Sequence, residues 1–136
     1  LASRALEFSS FPTSEGEART GGALALDLGC GSGLSTGVVT RVSDCWMGAI
    51  GVDLSSEMLR ADSWSEVGAL PIPLAGERLR CDLAQPLPFR AGIFDAAYSV
   101  AAVHYLAQDS QTRAAADRLR TFASSLRRCL SSTARP

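Results

Sequence analysis

The order of segments in this 136-residue chain predicts an α/β fold with a doubly wound parallel sheet. Three observations carry the prediction. Short apolar runs recur along the chain and several close on an acidic residue: Ala23 to Leu28, Trp46 to Val52 with Asp53, and Arg78 to Leu83 around Asp82. A glycine-rich turn, Gly29 to Gly33, directly follows the first run. Helix-periodic stretches separate the runs or follow the last of them. The length suits one domain, 1–136, with one core.

Element by element, Ala2 to Phe8 reads as a short helix, and Pro12 through Gly22 as a polar linker. Ala23 to Leu28 suits a strand buried on both faces. Leu34 to Val42 reads as a helix, although Val38, Val39 and Thr40 are β-branched and weaken it. Trp46 to Val52 is the second strand. Ser55 is a good N-cap for a helix to about Ser63, and Glu57 in its first turn suits the helix dipole. Pro71 and Pro73 make Leu70 to Gly76 extended or irregular. Arg78 to Leu83 reads as the third strand and Phe94 to Val100 as the fourth, with the loop of Pro86 and Pro88 between them. From Thr112 to Leu130 the apolar residues Ala116, Leu119, Phe122, Ala123, Leu126 and Leu130 fall at helical spacing. Arg113 and Asp117, four apart, add a weak surface pair. Right-handed crossovers put the first strand in the middle and later strands outward.

Composition narrows the function. The formal net charge is -1, so no overall field draws in nucleic acid, and DNA is not expected as a partner. Every basic residue is Arg, which reads as coding bias in the source genome. Cys30, Cys45, Cys81 and Cys129 form no C-x-x-C pair, and the single histidine, His104, stands far from all of them. A metal site is therefore not expected. Scattered thiols and no recognisable signal peptide point to a reducing, intracellular compartment. No apolar run approaches the ~20 residues that span a bilayer, so no membrane association is expected.

Ligands of such sheets sit beyond the carboxyl ends of the strands. Asp27, Gly29 to Gly33, Asp53 and Asp82 all fall there. Glycines suit a tight turn and a close approach of backbone to ligand. Asp53 lies 20 positions after Gly33, matching the ~20-residue spacing of a ribose-binding carboxylate. A dinucleotide fingerprint, G-x-G-x-x-G, would need glycine where Leu34 stands. Asp27 beside the loop would repel a pyrophosphate but favour the ammonium and sulfonium of S-adenosylmethionine. Asp82 can accept a hydrogen bond from the adenine amino group, with Leu54 and Leu83 against the faces of the ring. The plainer reading of these three is a strand-end acid with two core leucines.

The residues also resemble a known family. Arg4-Ala5-Leu6-Glu7, Leu26-Asp27-Leu28-Gly29-Cys30-Gly31-Ser32-Gly33-Leu34-Ser35 and Gly51-Val52-Asp53-Leu54-Ser55 look like its opening motifs. The likeness continues through Met58-Leu59, Cys81-Asp82-Leu83, Pro86-Leu87-Pro88-Phe89-Arg90-Ala91-Gly92-Ile93-Phe94-Asp95, Ser99 to Leu106, and Arg118-Leu119 with Phe122 to Leu126. The family is the eukaryotic 18S ribosomal RNA guanine-N7 methyltransferases of small-subunit biogenesis. It implies a Rossmann-like class I methyltransferase sheet. The chain would hold its first four parallel strands with flanking helices, leaving the sheet incomplete and the C-terminal strands absent. It implies S-adenosyl-L-methionine as cofactor, with Asp27, Gly29, Cys30, Gly31, Gly33, Asp53, Leu54, Asp82, Leu83 and Val100 as cofactor-binding residues. It implies 18S ribosomal RNA as substrate, and a nuclear or nucleolar location. It also implies a small zinc-binding activator protein along the edge of the third strand, about Leu79 to Leu83.

His104 and Tyr105 stand where the family usually has Gln-Trp, at the border of the acceptor pocket. They are the candidate catalytic pair, able to contact or stack on a base; the plainer reading is a loop pair packed under the last helix. Guanine N7 is a lone-pair acceptor with no proton to remove, so the missing acid–base dyad is compatible with activity. Two other functions fit the same motifs: a small-molecule methyltransferase, and a truncated cofactor- or partner-binding remnant without catalysis. An incomplete sheet is expected to bury less apolar area than a complete one and to be marginally stable.

Overall fold

The computed structural model describes residues 22–42, 46–61, 74–108 and 112–132. The helix expected at Ala2 to Phe8, the linker after it and the segment around Pro71 and Pro73 lie outside those residues. The described elements run β1 (Ala23–Leu28), α1 (Leu34–Val42), β2 (Trp46–Asp53), α2 (Ser56–Arg60), β3 (Leu74–Arg80), β4 (Ala96–Tyr98), a 3-10 turn (Val103–Ala107) and α3 (Arg113–Cys129).

The strands form one sheet in the order β3-β2-β1-β4. Every pairing is parallel. The first strand is central, as the sequence reading expects. Alternation along β1 divides the core. Leu24, Leu26 and Leu28 face the layer that holds Phe94, Leu106, Phe122 and Cys129. Ala25 faces the other layer, with Val39 of α1, Trp46 and Ala49. Both faces of β1 are covered, which is why its sequence reads as nearly unbroken apolar residues. Asp27 shares the Ala25 face and so lies against α1.

The helices follow from local signals. In α1 the β-branched Thr40 is accommodated because its hydroxyl donates back to the carbonyls of Thr36 (3.0 Å) and Gly37 (3.2 Å). Ser55 caps α2, accepting the Met58 N–H at 3.2 Å. Thr112 caps α3 in the same way through the Ala115 N–H. Leu87, in the loop before β4, is tied to α3 by its N–H, which Ser125 Oγ accepts at 2.7 Å.

Three elements have boundaries that differ from the sequence reading. α2 ends at Arg60 rather than near Ser63: Ala61 turns to extended backbone, and the Arg78 guanidinium binds its carbonyl. β3 occupies Leu74–Arg80 rather than Arg78 to Leu83, because pairing with β2 ends at Asp53 and Arg80. The chain then turns, with Gln85 N donating to the Asp82 carbonyl. β4 is only Ala96–Tyr98, not Phe94 to Val100. Phe94 pairs instead with Leu130 beyond α3, and Ser99 leaves the sheet by donating its hydroxyl to the Leu28 carbonyl at 2.8 Å. The 3-10 turn Val103–Ala107 has no counterpart in the sequence reading.

No helix among the described residues is long and apolar enough to cross a membrane.

Candidate functional site

The bend after β1 is shaped by glycine. Gly29, Gly31 and Gly33 have φ of 80°, 56° and 90°, a region that residues with a Cβ rarely enter. Gly29 has a second constraint. A Cβ there would lie 2.0 Å from the Cβ of Ala102, so the loop after β4 rests directly on the bend. The bend is hung from β2: the N–H groups of Gly29 and Cys30 both donate to the Val52 carbonyl, at 2.8 and 3.0 Å.

Asp53, the last residue of β2, joins bend to loop. Its Oδ2 accepts the Gly31 N–H at 2.8 Å. Its Oδ1 accepts the Ser55 N–H, also at 2.8 Å. A carboxylate has about four lone-pair sites, so two remain for hydroxyl donors such as a ribose diol. Asp82 lies in the turn after β3, its Oδ1 accepting the Ala84 N–H at 2.9 Å.

Asp27 is placed differently from the charge beside an open loop that the sequence suggests. It is fully buried beneath the bend. Its Oδ2 accepts the hydroxyls of Ser35 and Thr36, each at 2.7 Å. Its Oδ1 and the buried Tyr98 hydroxyl lack hydrogen-bond partners. Burial pushes the Asp27 carboxyl above its usual range, with the Ser35 and Thr36 hydroxyls pulling the other way. Burial, and then the Asp27 charge, push the Tyr98 phenol far up.

Cys30 and Leu83 both have buried side chains. Cys30 is buried, and its Sγ would lie 2.6 Å from a Cβ at Gly51, so its side chain packs over β2. Burial, then the charges of Asp27 and Asp53, push its thiol up to about 12. Only its backbone belongs to the bend. Leu83 is turned inward and belongs to the core with Leu87 and Phe94. Among the described cysteines, Cys30, Cys81 and Cys129 are all free and buried.

The segments at the bend's end of the sheet carry an apolar collar that the sequence reading identified only in part. Leu34, Leu54, Met58, Val100 and Tyr105 are large hydrophobic residues left exposed, Leu54 at 59% and Tyr105 at 60%. All five lie in segments that directly follow the carboxyl ends of β1, β2 and β4. Exposed apolar groups gathered at one end of a sheet mark a binding surface. Leu34 and Met58 were missed because each sits at an ordinary helix position; the Met58 Cε, 3.1 Å from a Cβ at Gly31, reveals its place. His104 and Tyr105 are exposed on the 3-10 turn, their ring centroids 4.0 Å apart and tilted by 36°. Leu106, not this pair, packs into the core.

Among the described residues no three His, Cys, Asp or Glu side chains converge as metal ligands. The arrangement is a cradle for a nucleoside-like ligand: a glycine bend for close approach, an acid for a diol and apolar walls.

The sheet order and glycine bend define a class, and residues 26–132 match the methyltransferase domain family, to which the chain belongs. Within that class the likeness is more particular. The chain is 37% identical to a probable 18S rRNA (guanine-N(7))-methyltransferase of Dictyostelium discoideum over 128 residues, 93% of this chain and 39% of that protein. It is 38% identical to the 18S rRNA (guanine-N(7))-methyltransferase RID2 of Arabidopsis thaliana over 136 residues, 99% of this chain and 42% of that protein. It thus spans about two fifths of the length of these curated relatives. Among solved structures, an S-adenosylmethionine-dependent methyltransferase from Mesorhizobium loti is 28% identical with a TM-score of 0.55, over 82% of this chain and 42% of that one. A Haloferax volcanii methyltransferase in complex with the Trm112 activator shares the fold at 22% identity and a TM-score of 0.62, over 96% of this chain and 46% of that one.

Proposed function

We propose that this chain forms the cofactor-binding part of an S-adenosylmethionine-dependent methyltransferase that modifies guanine N7 in 18S ribosomal RNA during small-subunit biogenesis. The observation that carries the reading is the pairing of Asp53 with Gly31 inside the apolar collar.

Bound S-adenosylmethionine supplies an electrophilic methyl group on a sulfonium. The chain's own residues bind and orient. The remaining lone pairs of Asp53 suit the ribose hydroxyls, and Asp82 suits the adenine amino group. Gly29, Gly31 and Gly33 let the backbone approach the amino-acid portion. Leu34, Leu54, Met58 and Val100 form apolar walls that exclude water. Asp27 acts from beneath the bend, through α1, rather than by contact. His104 and Tyr105 offer stacked rings to an acceptor base. Guanine N7 carries a lone pair and no proton, so alignment replaces a general base. Orientation alone supplies up to roughly 7–11 kcal/mol in favourable cases.

The 18S ribosomal RNA substrate is supported by the names of the relatives at 37% and 38% identity. A nuclear or nucleolar site of action accords with that substrate. A small zinc-binding activator protein fits along β3, the edge strand in the described sheet, where Leu79 is an exposed apolar residue. The Haloferax volcanii neighbour was solved with a methyltransferase activator, Trm112, which supports a partner protein.

Calorimetric titration with S-adenosylhomocysteine, with NAD as control, tests the cofactor. Incubation with radiolabelled S-adenosylmethionine and 18S ribosomal RNA, followed by aniline cleavage at N7-methylguanine, tests the acceptor. Binding of NAD in place of the nucleoside, or label without N7-specific cleavage, overturns the corresponding half.

A further inference from the structure

Arg78 and Arg80 stand two apart on β3, on the same face of the strand. Both reach back to the loops that build the site. Arg78 Nη1 donates to the Ser32 carbonyl at 2.9 Å and to the Ala61 carbonyl at 2.9 Å. Arg80 Nε donates to the Leu54 carbonyl at 3.1 Å. Ser32 is the centre of the glycine bend, Leu54 follows Asp53, and Ala61 closes α2. Among the described residues neither arginine forms a salt bridge; their guanidinium groups bond these carbonyls.

The bend needs such restraint. A run with three positive-φ glycines has little conformational preference of its own. Asp53 holds the N–H of Gly31 from the end of β2. Arg78 holds the carbonyl of the next residue, Ser32, from β3. A carboxylate and a guanidinium on neighbouring strands thus grip consecutive residues of the bend. Charge-assisted bonds of this kind are about twice as strong as neutral ones.

We propose that Arg78 and Arg80 are positioning residues. They hold the glycine bend and the Leu54 loop in the shape that binds the methyl donor, without touching it. The inference rests on the S-adenosylmethionine reading above.

The test compares the protein with Arg78→Ala, Arg78→Lys, Arg80→Ala and, as a control on α3, Arg113→Ala. S-adenosylhomocysteine affinity is measured by calorimetry, and thermal midpoints are taken without ligand. Arg78→Ala is expected to raise Kd about tenfold, equivalent to about 1.4 kcal/mol. Arg80→Ala should raise it less, and Arg78→Lys should recover part of the loss. In turnover, KM for the methyl donor rises while kcat stays within about twofold. Amide exchange quickens at Gly31 to Gly33 but not in β1, a readout that survives even if Arg78→Ala binds too weakly to titrate. Unchanged affinity and unchanged exchange in the arginine variants overturn the proposal. So does an equal loss in Arg113→Ala, or a fall in affinity explained by a matching fall in melting temperature. If the unaltered protein binds no S-adenosylhomocysteine, the cofactor reading fails first and this one with it.

Discussion

Asp53 Oδ2 accepts the N–H of Gly31 at 2.8 Å, linking the end of one strand to the bend that follows its neighbour. The same carboxylate accepts the Ser55 N–H that starts the α2 cap. Asp53→Asn replaces one acceptor oxygen by a donor and sets it against an N–H. Hydrogen bonds to charged groups are worth about 1.5–3 kcal/mol. S-adenosylhomocysteine affinity should therefore fall roughly 10- to 150-fold by calorimetry. A loss under twofold would remove Asp53 from the site.

Asp27 makes stability depend on pH. Burial raises its carboxyl in the folded state above the ordinary aspartate range. The fold therefore keeps this proton to higher pH than the unfolded chain does. The stabilising contribution is complete below the unfolded value and is lost as pH rises through the folded one. Asp27→Asn removes the titration and offers Oδ1's position as a donor toward the Tyr98 hydroxyl. Its thermal midpoint should gain on that of the unaltered protein as pH rises from about 4 to 8. A gap that stays constant with pH would show that Asp27 is not the titrating group.

Gly29 tolerates no side chain. Gly29→Ala meets both a φ of 80° and the Ala102 Cβ at 2.0 Å. Strain and overpacking each cost about 1–3 kcal/mol. Denaturant titration should register a loss of at least that size. Cofactor binding should weaken too, because the loop after β4 must move off the bend.

Tyr105 presents an exposed ring stacked on His104. On the RNA substrate proposed above, Tyr105→Ala should lower kcat/KM about five- to 150-fold, the range that base–aromatic stacking of about 1–3 kcal/mol provides. Cofactor affinity, read by calorimetry on the same sample, should not move. A change in the cofactor Kd alone would place Tyr105 on the other side of the site.

Ser125 serves the fold and not the site. Ser125→Ala leaves the buried Leu87 N–H without its acceptor at 2.7 Å. The expected loss is about 1–3 kcal/mol of unfolding free energy. S-adenosylhomocysteine binding at a temperature well below the melt should be unchanged.

Much of the fold was legible because its signals are local. Ala23 to Leu28 reads as a buried strand from its composition, and Ser55 and Thr112 cap their helices as residue chemistry predicts. Strand ends were less legible. Phe94 has strand character, yet it pairs with Leu130, a residue 36 positions away whose arrival depends on where α3 ends. Arg78 to Leu83 looked like a strand because Cys81 and Leu83 are apolar. Their burial instead reflects a turn that folds both inward.

The site divides in the same way. Sequence alone determined the glycine bend, the acid at Asp53 and the order of strands that brings them to one end of the sheet, since spacing along a regular strand dictates where its end falls. Tertiary structure alone decided what each side chain faces. Asp27 went under the bend, Cys30 and Leu83 into the core, and Arg78 and Arg80 back across β2 toward the bend. The reason is geometric: the pleat sends alternate residues to opposite faces, and only the pairing register selects which atoms then lie within hydrogen-bond reach.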